Sequence, residues 1–339
     1  MPIDPQAARC FRLVSGAGIA TMAAYGAALQ LGYLLIVLVV TLLSVPVPPP
    51  GAKGAIVLAI ATAVTALYGM LLGPVLTYVP VAGVMLSLGG VALATVVSRR
   101  PGTAIIGTLM ILSSTIVAVF AAQSSAAAAM LVRTLIGSMI GAVIIAHIAH
   151  ALFPEPAKQA PPAPPAAAAP VQVAWIAVRS ALIMLPPLLA ALTNPAAYIM
   201  LLMKGASLAQ QADSDTTRAQ GLNMAASTAA GGVAAMLFWW LLSLWPNLVL
   251  LTLGMMLAAL VMARPMFGAI GSRFRPDWWQ FAMTTMIILI GPAVADTASA
   301  ENIQRQMLIR IATFIGLALY AAAAVHLLDR LRNRKEVMP

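Results

Sequence analysis

Charge is scarce in this sequence. Only 8% of its 339 residues are charged, 62% are hydrophobic, and the mean hydropathy is +0.96. A soluble domain carries about 25% charged residues, so this composition excludes one and predicts an integral membrane protein. A single cysteine, Cys10, excludes an internal disulfide. Acidic residues are fewer than basic ones, nine against nineteen, and all nine fall in predicted loops or at predicted helix ends. The buried carboxylate that proton-coupled transporters often use is therefore missing, and Asp296, just past Gly291-Pro292, is the nearest candidate for proton coupling. No phosphate-cradling loop is present, since Gly51-Ala52-Lys53-Gly54 is too short for one, which argues against ATP hydrolysis. No Cys/His cluster has convincing metal spacing, and no cofactor is expected. The net charge of +10 is not a nucleic-acid footprint, because its basic residues stand singly or in pairs between apolar runs. They read as topology determinants.

What fills the chain is apolar helix. Twelve apolar segments run near 13–29, 31–47, 54–73, 79–98, 103–121 and 130–152, then 177–193, 194–211, 219–242, 247–263, 278–295 and 306–327. The expectation is an all-α membrane protein of about twelve transmembrane helices in two six-helix repeats, 1–153 and 173–339. A Pro/Ala-rich cytoplasmic linker, 154–172, joins them, and the second repeat ends in a short basic tail. Arg9 and Arg12 precede the first run as in a signal peptide, but no small-residue cleavage site stands out, so that run is read as a retained helix.

Placing the N-terminus in the cytoplasm puts fifteen basic residues inside and three, Arg133, Arg305 and Arg310, outside. Trp239, Trp240 and Trp245 then mark one interface, and Trp175, Trp278 and Trp279 the other. The halves echo each other faintly. Tyr33 and Lys53 have the same spacing as Tyr198 and Arg218, and Ser98-Arg99-Arg100-Pro101 resembles Ser272-Arg273-Phe274-Arg275-Pro276. Six helices per half is an even number, so the repeats share orientation about an axis along the membrane normal.

The stretch that points to function runs from Asn194 to Gln211. Lys204 stands near its middle, followed at once by the helix-weakening Gly205, with Ser207, Gln210 and Gln211 beyond. A charge at a helix centre costs roughly 2.5–3.5 kcal/mol on insertion scales, which makes an intramembrane lysine a functional-site candidate. The ordinary alternative is that Lys204 snorkels to the interface. As a site, Lys204 would hold an anion when protonated and release it when neutral, a second route to proton coupling. Met200, Met203 and Ser207 stand at helical neighbour spacings and complete a candidate substrate contact; Tyr198, six residues back, does not share the face. In the repeat register Lys204 falls on Val39, so such a site is asymmetric. Arg133 and Arg310 form a matched pair early in the sixth and twelfth segments, either guiding an anion outward or anchoring at headgroups. His147 and His150, three apart on one helical face, lack a carboxylate and make a poor metal site; with His326 they are the only histidines available as a base to an intramembrane enzyme.

One resemblance adds to this. A basic residue opens the first helix, and Gly32-Tyr33 leads a second that runs Leu38-Val39-Val40-Thr41-Leu42-Leu43-Ser44 into Pro50-Gly51-Ala52-Lys53-Gly54. Gln220-Gly221 after Arg218 repeats the junction. This resembles the fusaric acid resistance and aromatic acid exporter superfamily, in a short form lacking the soluble cytoplasmic domains. The resemblance implies a bacterial inner-membrane efflux transporter for aromatic or other amphipathic organic anions, with both termini cytoplasmic. It also implies proton-gradient driving, a periplasmic membrane-fusion adaptor, and an outer-membrane channel beyond it; a homo-oligomer is compatible. The alternative is a non-transporting membrane scaffold, or less favourably an enzyme using His147, His150 or His326.

Overall fold

The computed structural model describes residues 4–45, 47–100, 103–154, 170–211, 218–295 and 300–336. Among these there are twelve helices and no strand. In chain order they are α1 Pro5–Gly26, α2 Tyr33–Ser44, α3 Ala52–Tyr78, α4 Pro80–Ser98, α5 Ala104–Gln123, α6 Ser125–Leu152, α7 Pro170–Thr193, α8 Pro195–Gln211, α9 Arg218–Leu244, α10 Leu248–Met266, α11 Pro276–Ala295 and α12 Ala300–Glu336. Helix α5 is interrupted by a π-helical turn at Ser113–Val117.

Local chemistry sets many of the ends. Asp4 caps α1 by accepting from the Gln6 N–H at 3.3 Å, with Pro5 at the first helical position. Asn247 caps α10 through the Leu250 N–H at 2.7 Å. Asn194 alone separates α7 from α8 and accepts from the Ala197 N–H at 3.2 Å, while Pro195 starts the next helix. A one-residue connection folds the two helices back on each other. The linker residues 155–169 lie outside the described residues.

Eight helices are long and apolar enough to cross a membrane by length and composition: α3 to α7, α9, α10 and α12. That is the coarse form of the expectation; the count of twelve spans goes beyond it. Helix α2 has 12 residues, about 18 Å at the usual rise, and α8 has 17 with Lys204 among them. Large apolar side chains also line outward faces. On α10, Val249, Leu253, Leu257 and Val261 are all more than half exposed, and on α3 so are Ile56, Ile60, Val64, Leu67 and Leu71. Inside, small and hydroxyl residues let helices close up: Gly69 lies against the Ser113 carbonyl, Gly73 against Ala121, and Gly90 against Ser114 and Tyr68. Apolar outward faces together with small residues at helix contacts are what packing in lipid selects.

The chain forms two compact units. One gathers 1–59, 134–163 and 227–311; the other gathers 60–133, 164–226 and 312–339. In the first unit α1 packs on α2 and α10, α2 on α11, and α10 on α11. In the second unit α7 packs on α8 and α4, α8 on α5, and α4 on α5. Each unit thus draws helices from both sides of the 155–169 segment.

Candidate functional site

Helix α8 owes its position to the α7–α8 hairpin. At Gly205 the two pack closely: a Cβ there would lie 2.9 Å from Pro187 Cγ and 3.0 Å from Met184 Sδ. The expected weak point is therefore a packing position, and α8 runs through it without a break. Nearer the other end of the hairpin, the Ser180 hydroxyl reaches the Ala209 carbonyl at 3.1 Å and the Ile176 carbonyl at 3.0 Å. Helix α7 also continues through Pro186-Pro187. A proline lacks the N–H that would bond the carbonyl four residues back. For Pro186 that is Leu182, and the Tyr320 hydroxyl donates to it instead, at 3.1 Å.

This packing buries Lys204 completely, at 0% exposure, the largest side chain so enclosed among the described residues. Met200, Met203 and Ser207 are buried with it, and the Ser207 hydroxyl has no hydrogen-bond partner among the described residues. All four residues proposed for α8 are buried, as is every residue from 202 to 209 on all faces of the helix. Ile183 and Leu208 of the same hairpin pack with Met224, Leu317, Ala318, Ala321 and Val325 into an apolar core. A second buried cation shares the hairpin. Arg179, 4% exposed, holds its guanidinium 5.8 Å from the Trp175 ring centroid. Arg179 is not among the candidates read from the sequence. Tyr198, by contrast, is exposed.

The remaining candidates lie elsewhere. Arg133 is exposed on α6 and Arg310 half-buried on α12, where its Nη2 donates to Gln306 Oε1 at 3.1 Å; they belong to different units. Asp296 lies outside the described residues. His147 and His150 each direct Nδ1 at the carbonyl one turn back, Val143 and Ala146, both at 2.8 Å. A carbonyl only accepts, so each Nδ1 carries the proton. Among the described residues no group of three metal-binding side chains exists.

Two features had no counterpart in the sequence reading. One is Tyr33, packed against Gly291 with its hydroxyl buried and without a partner among the described residues; the neighbouring Tyr25 hydroxyl donates to the Gly291 carbonyl at 3.1 Å. The other is the π turn of α5, whose Ser113, Ser114 and Thr115 are all fully buried. Three successive hydroxyl residues in an otherwise apolar segment were the available signal.

The class these features define is a multi-pass α-helical membrane protein with buried cations in both units, Arg12 in the first and Arg179 and Lys204 in the second. Residues 9–149 match a family model described as a protein of unknown function (DUF2955). That match gives no support to the aromatic acid exporter resemblance. No curated protein and no solved structure matches the chain.

Proposed function

We propose that the protein is a membrane transporter for organic anions and that Lys204 contacts the anionic group. The observation that carries the reading is the enclosure of Lys204 at 0% exposure beside the unpartnered Ser207 hydroxyl and the methionines Met200 and Met203. A buried ammonium is expensive to maintain without a task, methionines give an adaptable apolar wall, and Arg179 adds positive potential from the same hairpin. Because Lys204 is sealed, a ligand reaches it only when helices part, which a transporter does in every cycle.

The finer picture belongs to the same proposal: twelve spans, termini in the cytoplasm, outward transport across a bacterial inner membrane, and two repeats. The repeats are supported by the common packing scheme of the two units. The exporter direction and the periplasmic adaptor rest on the superfamily resemblance alone, and coupling to protons through Lys204 or Asp296 rests on the residue types.

The test is thermal stabilisation of purified protein by a panel of carboxylates. Ligand at about a hundred times its Kd contributes roughly 2.7 kcal/mol to the folded state, which gives a clear rise in Tm. Lys204→Met is expected to abolish that rise. Equal stabilisation of both proteins would refute the site.

A further inference from the structure

The turn that joins α10 to α11 is held in place along its length. A Schellman arrangement closes α10: Gly268, at φ 79°, donates its N–H to the Pro265 carbonyl at 3.4 Å, and the Ala269 N–H reaches the Arg264 carbonyl at 2.9 Å. Glycine takes that left-handed conformation without a steric cost. The turn rests on the start of α1, since a Cβ at Gly268 would lie 3.5 Å from Gln6 Nε2. Further on, the Ser272 hydroxyl oxygen accepts from the Phe274 N–H at 3.1 Å and from Trp279 Nε1 at 3.0 Å. Phe274 stacks on Trp278 with ring centroids 4.3 Å apart, and Trp279 meets both rings edge-on.

This ordered turn presents cations and apolar surface together. Ile270 and Phe274 are each 43% exposed, and Arg264, Arg273 and Arg275 are exposed as well. Asp277 is the one acid from residue 264 to residue 277, and Arg275 engages it at 3.6 Å. Arg264 and Arg273 have no ion-pair partner among the described residues. Exposed apolar side chains are unfavourable in water and favourable in lipid, and aromatic residues concentrate where a span leaves the hydrocarbon. Helix α10 is long and apolar enough to cross a membrane, and the turn follows its last residue. The outward column Val249, Leu253, Leu257 and Val261 steps along α10 at intervals of four and runs out at Arg264, three residues on.

A guanidinium fork matches phosphate oxygens, and an apolar column that ends in such a fork has the layout of a phospholipid. We infer that the α10–α11 turn binds an anionic phospholipid, its headgroup phosphate drawn to Arg273 and Arg264 and an acyl chain lying along the Val249–Val261 face. Ile270 and Phe274 seat the turn at the boundary between headgroup and chain. A zwitterionic headgroup brings its own cation beside the phosphate, so the arginines favour one whose charge is net negative. The turn that joins α4 to α5 lacks this combination: Ser98 to Thr103 includes Arg99 and Arg100 but no aromatic residue. The lipid site belongs to the first unit, and Lys204 to the second.

The experiment titrates the purified full chain, in neutral detergent, with palmitoyl-oleoyl phosphatidylglycerol and with phosphatidylcholine of the same chains. Native mass spectrometry counts the bound lipid. Wild type should bind its first phosphatidylglycerol about 25-fold more tightly than phosphatidylcholine, since each of two arginines near an anionic headgroup contributes about fivefold. Arg264→Gln combined with Arg273→Gln should remove that preference. Lys53→Gln combined with Arg100→Gln takes the same charge from exposed positions elsewhere and should leave it intact. Equal wild-type affinities for the two lipids, or the same loss in both double variants, would overturn the site. Glycerol 3-phosphate, which has the phosphate and no acyl chain, should bind far more weakly; equal affinity would show a free-anion site and overturn the phospholipid assignment. If the first double variant does not fold, Arg273→Gln alone, at an exposed position, should lose about fivefold, and no loss there would overturn the site.

Discussion

The Tyr320–Leu182 bond is a repair of the backbone, and it predicts a particular non-additivity. Pro186 removes the donor that the Leu182 carbonyl would use in an unbroken helix, and Tyr320 supplies another at 3.1 Å. Tyr320→Phe deletes that donor and leaves the carbonyl without one. An orphaned buried acceptor costs roughly 1–3 kcal/mol. Side-chain bonds measured within membrane proteins average nearer 0.6 kcal/mol, with a maximum of about 1.7. Tyr320 is itself 39% exposed, so the expected loss is about 1 kcal/mol. In a Pro186→Ala background the residue 186 N–H returns to bond Leu182, and Tyr320→Phe should then cost almost nothing. The coupling energy between the two positions is therefore about 1 kcal/mol, within the range that double-mutant cycles resolve. Reversible unfolding of the four proteins in mixed detergent micelles reads it directly. The same loss in both backgrounds would show that Tyr320 does not act by satisfying Leu182.

Three further outcomes follow from packing and capping. Gly291→Ala would place its Cβ 2.6 Å from Tyr33 Cγ; overpacking of this kind costs about 1–3 kcal/mol, and Tyr33→Ala should recover most of it in the same unfolding assay. Gly69→Ala meets the Ser113 backbone, with the carbonyl carbon at 2.9 Å, and backbone yields less than a side chain, so the yield of monodisperse protein on size exclusion should collapse. Asn194→Ala removes the α8 cap and should lower stability by about 1 kcal/mol, while Asn194→Asp should retain it.

Helix positions were readable because twelve apolar runs are punctuated by Pro, Gly and charged residues, and a helix was found at each. The α7–α8 turn was readable from Asn194-Pro195, a cap residue followed by the favoured first helical residue. Lys204 was readable as a candidate because a lone charge in an apolar run is costly wherever it points. Gly205 was misread: intrinsic propensity marks glycine as weak, whereas contact with Pro187 makes it the residue that lets α8 approach. Pro186 and Pro187 are residues that by themselves end or kink a helix, and the helix continues through them because a donor more than a hundred residues away serves Leu182. Such tertiary compensation leaves no local trace. The π turn was hidden for a related reason, since hydropathy is blind to whether a helix winds with one extra residue.

That extra residue has a mechanical meaning. In a regular helix each residue advances the side chains by about 100°, so the stretches of α5 on either side of the Ser113–Val117 turn are out of phase with each other. Expelling the surplus, or passing it along the helix, would swing one stretch relative to the other by a large angle with little change in length. The π turn is thus a phase slip held in a helix that packs on α8, and a means of exchanging one packing face for another without unfolding the helix.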